Sequence, residues 1–222
     1  MSVAPLDLQM LVLAKNPVAG RVKTRLTPPY APEAAAELAR AALLDTLDAA
    51  GGVPARHRIL ALDGDPVIAV PAGFEVVMQR GGPLDERLEN VLVDVWAGTE
   101  LPMLLVGMDT PQVTCADLVS AARQLLAPDV DAVLGPAADG GFWAIGVRRW
   151  QPGLVLGVAM STDRTGEEQL SRLHAAGLRV GQLPDLRDVD TAADVKPVAL
   201  AAPGSRFAAA ASRLGTDMVG AA

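Results

Sequence analysis

Pro102-Met103-Leu104-Leu105-Val106-Gly107-Met108-Asp109-Thr110-Pro111-Gln112-Val113-Thr114 is the stretch on which the fold turns. Its opening run, residues 102–107, is apolar without a break, the pattern of a strand covered on both faces. Asp109-Thr110-Pro111 supplies turn chemistry and ends it. Thr114 and Asp117 then read as a capping box with Asp in the place of Glu, opening an amphipathic run over Ala116–Leu126. Strand, tight turn and capped helix make half of a crossover unit. The same alternation extends in both directions. Strands are predicted at Leu8–Ala14, Arg58–Leu62, Phe74–Met78, Ala132–Gly135, Phe142–Val147 and Leu178–Leu183. Helices are predicted at Pro32–Ala50, Leu84–Ala97, Gly166–Ala176 and Ala192–Leu200. The last of these also begins with Thr-x-x-Asp, Thr191 to Asp194. Gly51-Gly52 predicts a left-handed end for the first helix. Elements in this order predict an α/β protein, a single-domain three-layer α/β/α sandwich around a mainly parallel, Rossmann-like sheet. Residues 1–202 read as that domain. Residues 203–222 read as an Ala-rich tail, a short helix with a frayed end.

Composition narrows the function classes. The 222 residues carry a formal net charge of −7, which argues against wrapping a nucleic-acid backbone. The lone Cys115 excludes an intrachain disulfide and a multi-cysteine metal site, and His57 and His174 are too few for a histidine-rich centre. These three residues read as structural or surface groups, and Trp96 reads as core. No apolar stretch approaches the roughly 18 residues of a spanning helix. Asp7 stands where a secretory leader would carry a basic start, so a cytoplasmic protein without membrane contact is expected.

In an open parallel sheet, ligands bind beyond the carboxyl ends of the strands, so the residues just after each strand carry the information. After the first strand come Lys15, Gly20, Arg21, Lys23 and Arg25; residues 1–26 hold four cations against the single Asp7. Lys and Arg beside a Gly and a Pro are suited to cradling phosphates, and a solvated basic loop is the plain alternative. The segment lacks the P-loop and dinucleotide fingerprints. Asp109, closing its strand, is placed to hold a hard cation such as Mg²⁺ or Mn²⁺, or else to cap a turn. Asp139-Gly140-Gly141 suits close backbone approach to a ligand and suits a hairpin equally well. Asp188-Val189-Asp190 precedes the last helix, and Asp190 is the candidate second metal carboxylate. Gln79, after the third strand, has an amide able to read a nucleobase edge. Glu86 and Arg87 read as a surface salt bridge in the first turn of their helix.

The order and spacing of these segments resemble the GT-A-like nucleotide-diphospho-sugar transferase superfamily. Within it, the chain is similar to a bacterial branch of GT-A-like glycosyltransferases, some linked with arsenosugar biosynthesis. It is also related to molybdenum-cofactor-type and phospholactate-type nucleotidyltransferases. The resemblance runs from about Leu8 to Val195. It rests on Lys15-x-Pro17-x-x-Gly20-x-Val22-Lys23-Thr24-Arg25-Leu26, Glu86-Arg87-Leu88, Gly107-x-Asp109-x-Pro111, Gly135-Pro136-Ala137-x-Asp139-Gly140-Gly141, Ser161-Thr162 and Asp188-Val189-Asp190-Thr191. Phe142-Trp143 and Met160 depart from the family, which prefers paired tyrosines and a Trp there. A single Asp109, rather than Asp-x-Asp, is more typical of the nucleotidyltransferase side.

The resemblance implies a GT-A sheet and a transferase that takes a nucleotide or nucleotide-sugar donor and a small acceptor. It implies catalytic roles for Lys23, Arg25, Asp109 and Asp139. Nucleotide binding falls to Lys15, Gly20, Lys23, Arg25, Gln79 and Gly82, and acceptor binding to Asp139, Gly140 and Gly141. Mg²⁺ or Mn²⁺ would sit on Asp109 and Asp190. Glycosyl transfer is the leading expectation. The alternatives are nucleotidyl transfer with pyrophosphate release and non-catalytic nucleotide binding.

Overall fold

A computed structural model describes residues 4–220, with side chains through residue 215. Seven strands form one sheet in the order β3-β2-β1-β4-β6-β5-β7. They are β1 (Leu6–Lys15), β2 (Ala55–Asp63), β3 (Glu75–Met78), β4 (Met103–Gly107), β5 (Ala132–Pro136), β6 (Phe142–Val147) and β7 (Val180–Gln182). All neighbouring pairs are parallel except those made by β6, which runs against both β4 and β5. The Asp-Gly hairpin signal is the local cause, since residues 137–141 turn β5 straight back into β6.

Six helices complete the layers: α1 (Pro32–Gly52), α2 (Leu84–Thr99), α3 (Cys115–Leu126), α4 (Thr165–Ala175), α5 (Ala192–Ala201) and α6 (Arg206–Gly220). The period of two along β1 divides its side chains. Leu8, Met10 and Val12 join the core beneath α1 and α3, while Leu11 joins the core beneath α2 and α4. A third cluster lies outside the first, where Phe207 of α6 and Val195 and Val198 of α5 pack on Leu38 and Ala42 of α1. No helix among the described residues is long and apolar enough to cross a membrane.

Both capping boxes form. The Asp117 carboxylate accepts from the Thr114 amide, and the Asp194 carboxylate accepts from the Thr191 amide at 2.8 Å. The reading of Gly51-Gly52 as a left-handed helix end is corrected. Both lie inside α1, which is capped by Val53, and neither has a positive φ. The bare Cα of Gly52 instead admits Cys115, whose Sγ would stand 2.9 Å from a Cβ built there. Predicted strand limits move both ways: β1 and β2 extend to Leu6–Lys15 and Ala55–Asp63, while β3 loses Phe74 and β7 shrinks to Val180–Gln182.

Candidate functional site

A cavity of about 430 Å³ opens at the carboxyl edge of the sheet, within the size range of small-molecule sites. Its basic lip is the loop after β1. Val22 and Leu26 are buried and pin that loop from both sides. Between them Lys23 adopts the left-handed region (φ 51°, ψ 39°), a conformation uncommon outside glycine, and leads into the 3₁₀ turn Thr24–Leu26. Lys23 and Arg25 therefore both face the cavity.

Three acidic segments meet this lip because backbone hydrogen bonds join them. The Val189 amide donates to the Asp109 carbonyl at 2.9 Å, laying residues 188–190 beside the end of β4. The Ala138 amide donates to the Leu186 carbonyl at 2.9 Å, drawing the β5–β6 turn to the same edge. Asp109, Asp139, Asp188 and Asp190 all line the cavity as a result. Lys23 Nζ lies 2.8 Å from Asp109 Oδ1 and also donates to the Val189 carbonyl. Arg25 Nη1 donates to Asp190 Oδ2 at 2.6 Å. The two pairs differ in burial: the Lys23 side chain is 8 % exposed and that of Arg25 62 %.

Asp188 is the residue sequence reasoning underweighted. Its carboxyl is pushed up to about 6, first by burial and then by the negative charge of Asp139, with Asp109 adding to the effect. Its own amide and Lys23 pull it the other way. The Asp-Val-Asp spacing was the available signal: Val189 is buried, while Asp188 and Asp190 on either side of it both line the cavity.

Of the predicted residues, Lys15, Lys23, Arg25, Gln79, Asp109, Asp139, Gly141 and Asp190 line the cavity. Gly20, Gly82 and Gly140 do not. Gly82 gives its amide to Glu86, and Gly140 backs onto Asp163 so closely that a Cβ would lie 2.0 Å from the Asp163 carbonyl. The Asp139 carboxylate accepts from the Gly141 amide at 2.7 Å, so the turn and the cavity wall are one feature. Gln79 lines the cavity, but its side-chain amide is already engaged. It donates to the carbonyls of Ala14 and Ala61, each at 2.9 Å, and so ties β1 to β2. Arg87 is corrected: its side chain is 15 % exposed and binds Asp63 and Gln79 within the cavity wall, while Glu86 accepts from Gly82.

The oxygen donors fit Mg²⁺ or Mn²⁺, which accept one or two carboxylates and take further oxygens from a substrate. Among the described residues no three His, Cys, Asp or Glu side chains could hold an ion by themselves. Asp109 and Asp190, both in the cavity wall, offer two such carboxylates. The ammonium of Lys23, gripped by a carboxylate and a carbonyl oxygen, shows that this corner accepts a cation.

A family of proteins conserved in bacteria and described as uncharacterised, DUF2064, matches residues 30–162. The chain belongs to DUF2064. The match includes Asp109 and Asp139 and stops short of the basic lip and Asp188–Asp190. No protein of curated function matches this DUF2064 chain. Its fold is shared with a candidate nucleotide-diphospho-sugar transferase from Desulfovibrio desulfuricans G20, at 24% identity and a TM-score of 0.85 over 96% of each chain. Rv0371c from Mycobacterium tuberculosis H37Rv, solved as a manganese complex, is 23% identical with a TM-score of 0.54, over 86% of this chain and 97% of that one. A CMP:2-keto-3-deoxy-manno-octonic acid synthetase complexed with CTP is 16% identical with a TM-score of 0.52, over 86% of this chain and 96% of that one.

Proposed function

We propose that this protein is a metal-dependent transferase that takes a nucleotide donor, with glycosyl transfer from a nucleotide sugar to a small acceptor as its leading reaction. One observation carries the reading: Lys23, Arg25, Asp109 and Asp190 converge on a single cavity at the carboxyl edge of the sheet. Lys23 and Arg25 supply preorganised cationic donors where negative charge develops on departing phosphate oxygens. Loss of one such group commonly costs on the order of 3 kcal/mol of transition-state stabilisation. A divalent cation bound at Asp109 and Asp190 would add charge neutralisation at the same phosphates. Asp139, oriented by the Gly141 amide, lies in the wall where an acceptor hydroxyl would be bound and relieved of its proton. The neighbouring Phe142 and Met160 give that wall an apolar flank.

Nucleotidyl transfer to a phosphorylated acceptor is the second reading. The lone Asp109 favours it, as does a fold shared with a synthetase complexed with CTP.

Calorimetry against nucleoside triphosphates, diphosphates and nucleotide sugars, with and without Mn²⁺, tests both. A true donor at roughly 100 times its dissociation constant stabilises the protein by about 2.7 kcal/mol, and only with the metal present. Asp109→Asn abolishes that response and also lowers the unfolding temperature, because the Lys23 ammonium, 8 % exposed, loses its carboxylate partner; the response is therefore read against the variant's own nucleotide-free baseline. Turnover then separates the reactions: a released nucleoside diphosphate marks glycosyl transfer, and pyrophosphate marks nucleotidyl transfer. A panel in which no nucleotide binds, or an Asp109→Asn protein that titrates like wild type, defeats the proposal.

A further inference from the structure

We infer that Lys23 occupies the cation's place in the free protein, so that metal enters only together with a donor whose phosphates draw the lysine away. The inference rests on the transferase reading above and adds an order of binding to it. Its basis is the grip on the ammonium. Nζ sits 2.8 Å from Asp109 Oδ1 and donates to the Val189 carbonyl, two hard oxygens of the kind a divalent ion requires. Asp139 and Asp188 line the same cavity. The lysine side chain is 8 % exposed, so it is not a solvated cation that drifts on and off a carboxylate.

Withdrawing a buried ammonium from its partner leaves an uncompensated charge in a poorly solvated place, which is costly unless another anion receives it. A metal ion arriving alone offers no such anion and meets a carboxylate already neutralised. A donor phosphate offers one. It can bind Nζ as Asp109 passes to the metal, so each charge changes partner without being left bare. The loop need not move, because Val22 and Leu26 hold the backbone from the core side while the four-carbon stem of Lys23 reorients. Arg25 on Asp190 repeats the arrangement in weaker form, since that pair is open to water.

The experiment is a Mn²⁺ titration of wild type, Lys23→Met, Lys23→Gln and Lys23→Met/Asp109→Asn. It is followed by calorimetry and by the paramagnetic resonance signal of free Mn²⁺, without nucleotide and again with a saturating nucleoside triphosphate. If the lysine-free state is populated one time in ten or less, removing Lys23 raises the affinity for Mn²⁺ alone by about tenfold or more. The added Asp109→Asn change erases that gain. Wild type binds Mn²⁺ tightly only in the presence of the nucleotide. Lys23→Gln repeats the measurement should Lys23→Met unfold. Equal affinity for Mn²⁺ alone in wild type and both lysine variants overturns the inference, and leaves the transferase reading intact if the nucleotide still recruits the metal. Absence of Mn²⁺ binding by every protein under both conditions overturns the metal site, and this inference with it.

Discussion

Gln79 shows how far a side chain's role depends on partners remote in the sequence. Read locally, it is an amide at the end of a strand facing a ligand edge. In the fold, both donated bonds go to carbonyls, those of Ala14 and Ala61, and its oxygen accepts from Arg87 at 3.2 Å. Replacing it with Leu leaves two carbonyls and a guanidinium short of partners. We predict that Gln79→Leu lowers stability by about 1–3 kcal/mol in urea unfolding, while the preference among nucleobases stays that of wild type. A shifted preference at unchanged stability would return Gln79 to the role of reader. Lys23 and Arg25 were legible as cavity residues because they lie in the loop after β1, and Asp109 because it closely follows β4, both at the carboxyl edge of the sheet. Asp188 and Arg87 were not, because their settings are made by segments far away: Asp139 and Asp109 for the one, Asp63 and Gln79 for the other.

At the scale of elements, the β5–β6 turn and the start of α4 make a close joint beside the cavity. The Gly166 amide donates to the Gly140 carbonyl at 2.8 Å, and a Cβ on Gly166 would lie 2.5 Å from the Gly141 carbonyl. Gly140 has φ +89° and faces the Asp163 carbonyl, so a side chain there meets both backbone strain and a clash. Gly140→Ala is expected to cost more than about 2 kcal/mol in chemical denaturation, and to weaken acceptor affinity more than donor affinity in the folded fraction. Wild-type stability in that variant would show that the joint is loose. Apolar runs and capping boxes made most elements readable to within one to three residues. The end of α1 was misread because a glycine has two uses. At Gly52 the bare Cα serves the approach of Cys115, not a left-handed turn, and only the packing of α3 on α1 distinguishes them.

For the whole molecule, the third cluster decides how the last segment behaves. Phe207 is 1 % exposed against α1, and Asp45 of that helix accepts from the Arg206 and Phe207 amides. The chain after Pro203 is thus seated on the domain by a buried aromatic and a side-chain cap. Truncating a buried Phe commonly costs about 3–5 kcal/mol, so Phe207→Ala is expected to lower the urea midpoint strongly. Phe207 takes no part in lining the cavity, so the variant should bind donor normally below its unfolding transition. Unaltered unfolding of Phe207→Ala would mean that α6 contributes nothing to the domain.

The reversed direction of β6 has one more consequence. Strands that all run one way must be joined by crossovers of a dozen or more residues, usually through a helix. Here five residues, 137–141, suffice to bring the chain back across the rim, and Phe142 begins its strand where β4 and β5 finish. One side of the cavity is therefore a short exchangeable cassette, while the cations and Asp109 belong to the parallel framework. On the transferase reading proposed above, substitutions within the cassette would retune what is modified without disturbing the grip on what is donated.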